Sequence, residues 1–301
     1  MFKNVMMYRI VSAWEQTVAK LEAALEENRF VECGASQEKA VGWTAPRGDE
    51  HGPLVEVVAG QWILKLMVEV KVLPGTVVKR KAEEQIQHIE ATTGRKPGKK
   101  ESREIREDAR LALLPLAFTK QSTVLVWIDP QAKTLVLSAG SQARADEVMT
   151  CLIKAMDGLS VQLINTQMSP AAAMSVWLST KEAPQSFSVD RECELKAADE
   201  SKAVVRYTRH PLDTDEVSQH IANGKVPTRL AMTWNDHVSF VLTEALQLKK
   251  VAVLDVVFEG AGAAGDGKED GFDTDVAIAT GELRKLIPDL LDALGGEVVP
   301  A

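Results

Sequence analysis

The chain has 301 residues, with 35 Lys and Arg against 43 Asp and Glu, a formal net charge of −8 and a pI near 5.3. That length permits one to three domains around a sizeable core, and 45% hydrophobic with 26% charged residues is the balance of a soluble globular protein. Cys33, Cys151 and Cys193 are far apart and form no CxxC pair, which argues against a disulfide framework or zinc site, and no apolar run approaches the roughly 20 residues of a membrane span, so a soluble cytoplasmic protein without a membrane partner is expected.

Residues 2–11, FKNVMMYRIV, have strand character, and Arg9 interrupts them too early for a signal peptide. Residues 14–28 then place Val18, Leu21 and Leu25 on one helical face. GQWILKLMVEVKVLP (60–74) begins with polar–apolar alternation around Lys65, Glu69 and Lys71 and reads as a strand. From Gly75 to Thr93 the period becomes helical, with Val78, Ala82, Ile86 and Ile89 in register, and a second helix over 101–118 makes a helical hairpin. Residues 122–129 and 133–140 form a strand pair turning at Asp129–Ala132. A helix over 141–159 has Ser141 as its N-cap, and a shorter one over 169–180 carries Pro170 in its first turn. Strands are expected at 202–209, 226–234, 237–244 and 246–258, with a helix at 213–224 carrying His220. A final helix over 273–296 stops at Gly295–Gly296. Helices and strands mix without a βαβ repeat, so the class is α+β. Three sub-regions are expected within one chain: 1–74 with 119–180 as a central α/β part, 75–118 as a helical tip, and 181–301 as a C-terminal α+β part.

No residue set for catalysis stands out. GAGAAG (260–265) fits the dinucleotide pattern G-x-G-x-x-G, but the residues that follow, DGKEDGFDTD, offer no helix N-terminus for a pyrophosphate and carry carboxylates that would repel it. Residues 259–273 are instead expected to be a mobile surface loop, with Glu259, Asp266, Glu269, Asp270 and Asp273 against Lys268 alone. There is no P-loop and no G-x-S-x-G elbow, and His51, His88, His210, His220 and His237 lack metal-ligand spacing. No catalytic residue, metal or cofactor is therefore expected.

Charge is distributed unevenly. Residues 79–110 hold 10 cations and 7 acids, a net of +3, which leaves −11 for the rest. At their centre GRKPGKK (94–100) sets Arg95, Lys96, Lys99 and Lys100 on a glycine- and proline-broken bend, with no acid inside the stretch to neutralise them. Such a cluster attracts a polyanion within a Debye length, roughly 8–10 Å. It is equally the pattern of a solvated helix face, with i,i+4 neighbours such as Arg103 and Glu107. A second candidate is VVRYTRHPLD (204–213), where Arg206 and Arg209 flank Tyr207 and His210–Pro211 turns the chain into a projecting tip. Lys225 and Arg229 follow one short helix later, at the base of the same loop. Phosphate contact and an ordinary basic turn both fit these residues.

Six segments, FKNVMMYRI (2–10), VGWTAP (41–46), LLPLAF (113–118), VWID (126–129), HIANGKVPTRLAMTW (220–234) and TGELRKLIPDLLDALGGE (280–297), together resemble the RdgC family of recombination-associated proteins. The resemblance implies an elongated, curved α+β protomer of a closed, ring-shaped homodimer that surrounds double-stranded DNA with little sequence preference. It also implies location at the nucleoid, restraint of the RecA recombinase and no catalytic activity. Arg209 and His210 match the tip of the family's DNA-contacting finger, with His210 where glutamine is usual. Lys225 matches an inner-surface basic residue. Phe118 matches an aromatic at a dimer contact, and Leu116 stands near it where the family often has arginine. A ring reconciles the charges: an acidic exterior, and cations lining the hole twice over by two-fold symmetry. Two other classes remain, an interaction protein acting directly on the recombinase, and an oxidoreductase built on GAGAAG.

Overall fold

The apolar run VMMYRI lies in β1 (Asn4–Ile10), a strand buried on both faces. Val5 and Met7 join one core while Met6, Tyr8 and Ile10 join the other. Successive strand side chains point to opposite faces, so a strand covered on both sides needs apolar residues throughout. The computed structural model, which describes residues 1–12, 16–260 and 268–298, builds outward from this strand.

In chain order, α1 (Val18–Glu26), β2 (Lys39–Thr44), β3 (Glu56–Val58) and β4 (Gln61–Val72) precede the hairpin of α2 (Gly75–Thr93) and α3 (Lys99–Leu113). There follow β5 (Phe118–Asp129), β6 (Thr134–Leu137), α4 (Gln142–Ala155), β7 (Val161–Leu163) and α5 (Pro170–Thr180). The C-terminal part holds β8 (Phe187–Ala197), β9 (Val204–Thr208), α6 (Asp215–Ala222), β10 (Lys225–Trp234), β11 (Val238–Thr243), β12 (Leu248–Val253), α7 (Asp255–Gly260) and α8 (Lys268–Ala293). Among the described residues the twelve strands form one open sheet of order β2-β4-β5-β6-β1-β12-β11-β10-β8-β9, with β3 on β4 and β7 on β1. The named strand pairs are all antiparallel. The class is α+β, as expected.

Helices α1 and α4 cover one side of the N-terminal strands through Leu21, Leu25, Val148 and Leu152. Ser141 caps α4 as expected, its hydroxyl accepting from the Arg144 N–H. The other core gathers α5, α6 and α8 on the C-terminal strands and continues onto Phe2, Ile63 and Trp127. Helix α8 braces the two halves. The Arg47 guanidinium pairs with Asp273 at 2.6 Å and lies 4.8 Å from the Phe272 ring centroid, and Arg284 pairs with Asp129 at 2.7 Å. Just beyond the helix, Arg9 Nε donates to Glu297 at 2.9 Å.

Three expectations need correction. The helix expected to run to Phe118 ends at Leu113, followed by a 3-10 turn at Leu114–Leu116: the Leu114 N–H still donates to the Arg110 carbonyl, but Pro115 has no N–H with which to continue the ladder. The strand expected over 246–258 stops at Val253, and Asp255 opens a short helix. Within the expected loop 259–273, Phe272 and Asp273 belong to α8 and are anchored by Arg47. The GAGAAG stretch lies outside the described residues from Ala261 onward.

Candidate nucleic-acid interface

The basic bend sits at the tip of a self-contained element. Val78, Ala82, Ile105 and Ala109 form a small core between α2 and α3, joined by Leu73, Ile86, Ile89 and Leu113. Gly94 ends α2 at φ 70°, a left-handed conformation that costs glycine little, and its N–H donates to the Glu90 carbonyl. The chain then turns through Pro97 and Gly98 into α3. Arg95, Lys96, Lys99 and Lys100 are all exposed. The expectation that nothing neutralises this cluster fails for Arg95, which grips Glu101 through two bonds of 2.7 and 3.0 Å. Lys96, Lys99 and Lys100 form no ion pair among the described residues. Nor is an Arg103–Glu107 pair among the ion pairs there; Lys79–Glu83 and Lys81–Glu84 hold α2 instead.

The second candidate lies on β9, at the far edge of the sheet. Tyr207 points inward and its hydroxyl donates to Glu216 at 2.8 Å; burial, with the nearby carboxylate, pushes the phenol up to about 12. Arg206 points outward and pairs with Glu194 at 2.6 Å. Strand register sets Glu194 directly between Arg206 of β9 and Arg229 of β10, and residues directly opposite in a ladder share a face. Arg209 leaves the strand at φ 56° with its side chain exposed. The loop beyond it projects less than the sequence suggested. The His210 N–H donates to the Arg191 carbonyl at 3.1 Å, the His210 ring centroid is 5.3 Å from that of Tyr207, and Leu212 is buried. Lys225 is half-buried and donates to His220 Nδ1 at 3.1 Å.

The two basic groups do not meet within one chain. The hairpin joins β4 to β5, and five strands separate β5 from β8 in the sheet order. Phe118 and Leu116 are near neither Arg209 nor Lys225 in that order, yet they stand out in the water, 87% and 79% exposed. Phe118 opens β5 opposite Val72, itself exposed, which makes an apolar patch at the foot of the hairpin. The charges that sequence reasoning missed are the carboxylates. Glu101 follows the basic stretch immediately, so its position was visible, whereas Glu194 is revealed only by the pairing of β8 with β9 and β10.

Among the described residues no three His, Cys, Asp or Glu side chains are grouped to hold a metal, and no helix is long and apolar enough to cross a membrane. A family model described as "Putative exonuclease, RdgC" matches residues 1–297. The curated relatives include a "Recombination-associated protein RdgC" of Dechloromonas aromatica (strain RCB), 43% identical over 303 residues, spanning 100% of this chain and 99% of the relative. Proteins of the same name from Herminiimonas arsenicoxydans and Bordetella pertussis (strain Tohama I) are each 44% identical over 296 residues, spanning 98% of both chains.

Proposed function

The chain belongs to the RdgC family of recombination-associated proteins, and from that premise we propose that it binds double-stranded DNA with little regard to sequence, as a ring-shaped homodimer closed around the duplex. In this reading it catalyses no reaction, resides on the nucleoid, and modulates RecA-dependent recombination by occupying duplex. The observation that carries the proposal is a group of exposed cations, Lys96, Lys99, Lys100 and Arg209, that form no ion pair among the described residues, on a chain of net charge −8. Cations that neutralise phosphates release condensed counterions, which favours binding to any sequence. The exposed Phe118 and Leu116 suit a contact with a second copy, since buried aromatics are frequent anchors of interfaces. Two-fold symmetry would then present every cationic group twice.

Fluorescence anisotropy with two duplexes of unrelated sequence tests the reading. Both should bind alike at low salt, with log K falling against log salt by about 0.9 per phosphate neutralised. The triple variant K96E/K99E/K100E, or Arg209→Glu, should weaken both duplexes equally. No binding by the wild-type protein at low salt, or unchanged affinity in both variants, overturns the assignment. DNA shortened from its ends in the presence of Mg²⁺ would establish an exonuclease instead. Inhibition of strand exchange by a variant that no longer holds duplex would place the action on the recombinase directly.

A further inference from the structure

On the outward face of β8, carboxylates occupy positions where a duplex-binding surface would be expected to present only cations. Glu194 is fixed from behind: Thr228 Oγ1 donates to its Oε1 at 2.8 Å, and its side chain is only 15% exposed. In front of it the Arg206 side chain is 71% exposed, so the guanidinium faces solvent while its partner sits beneath it. Arg229, exposed on the next strand, flanks the same carboxylate from the other side. The Arg206 guanidinium, with help from Thr228 and Arg229, holds the Glu194 carboxyl below the usual carboxylate range, so it is ionised at neutral pH. The motif repeats two residues earlier, where Glu192 takes Lys250 at 2.6 and 2.9 Å. These three cations and two carboxylates leave a net of only +1.

We propose that Glu194 is an internal stand-in for phosphate, competing with DNA for Arg206 and Arg229 and so limiting how tightly this face holds a duplex. Guanidinium recognises carboxylate and phosphate oxygens by the same charge-assisted hydrogen bonds. A phosphate approaching Arg206 must therefore share the guanidinium with an anion already in place and accept repulsion from it. Arg209 has no ion-pair partner among the described residues and carries no such penalty. The consequence is a face that engages duplex weakly enough to let go, which suits a ring that moves along DNA. This inference rests on the duplex-binding reading above.

A double-mutant cycle tests it. Glu194→Gln is isosteric and keeps an oxygen for the Thr228 hydroxyl. It should bind duplex about three- to tenfold more tightly than wild type, with a salt slope steeper by roughly 0.9 for each phosphate newly engaged. Arg206→Gln should cost the wild type less than Arg209→Gln does, because the Arg206 guanidinium is already occupied; that comparison stands even if Glu194→Gln fails to fold. In the Glu194→Gln background, Arg206→Gln should remove most of the gain. Equal or weaker binding by Glu194→Gln, or a gain of full size without Arg206 and Arg229, overturns the proposal alone. A wild-type protein that binds no duplex overturns the proposed function and this inference with it.

Discussion

Glu69 shares one face of its strand with Lys65 and Lys71, and charged side chains are ordinarily left in water. Instead it is 1% exposed, and it accepts from the Cys33 N–H at 2.7 Å and from Gln121 Nε2 at 2.8 Å. Its neighbours are struts as well: Lys65 donates to the Pro46 carbonyl at 2.7 Å, and Lys71 to the carbonyls of Ala35 and Leu114. The period of a strand shows which residues share a face, but not which loop lies across it. The Cys33 N–H, then Gln121, hold the Glu69 carboxyl below its ordinary range. A carboxyl lowered by folding contributes stability above its unfolded value, about 4.3, and loses it as pH falls through the folded value. Glu69→Gln should therefore cost about 1–3 kcal/mol at pH 7, because an amide sets its own donors against those of Gln121. In urea titrations the gap from wild type should narrow as pH drops below about 4; a gap independent of pH would remove the carboxylate from this role.

The helical hairpin was legible because Val78, Ala82, Ile86 and Ile89 repeat at helical spacing and Gly94 marks a stop. Strand β8 was not. Its inward residues Phe187, Val189, Cys193 and Leu195 share one face, but Arg191 takes the place between Val189 and Cys193, where register shifts against β10 between Leu230 and Met232. An irregular ladder breaks the period of two on which a strand is recognised. The end of β12 fails differently, since an apolar run such as VAVLDVVF fits strand and helix equally. The hairpin's core is small and separate from the two main ones, so its loss should stay local. Ile105→Ala should cost about 2–4 kcal/mol, seen as faster hydrogen exchange over 75–113 while β10 and β11 keep their protection. Equal loss of protection in both places would show that the hairpin folds as one unit with the sheet.

Across the whole molecule, the family resemblance and the α+β class could be read from the chain, because six collinear segments and the helix periods survive without coordinates. The functional geometry could not. The bend at 94–100 and the loop at 209–213 lie toward opposite ends of the sheet order, so in the proposed ring their convergence on one duplex would depend on a second copy, which no single sequence describes. The uneven charge gives that copy a reason to matter: an anionic particle holds DNA where its cations are gathered, and a second copy would double each gathering. The exposed Phe118 and Leu116 mark where the copies would touch. Electron cryomicroscopy of the protein mixed with a short blunt-ended duplex tests this most directly. The expected image is a closed two-fold particle of two chains, with the duplex passing through a hole lined by the α2–α3 bends and the Arg209 loops. A lone chain, or a duplex lying against an outer surface away from those residues, contradicts it.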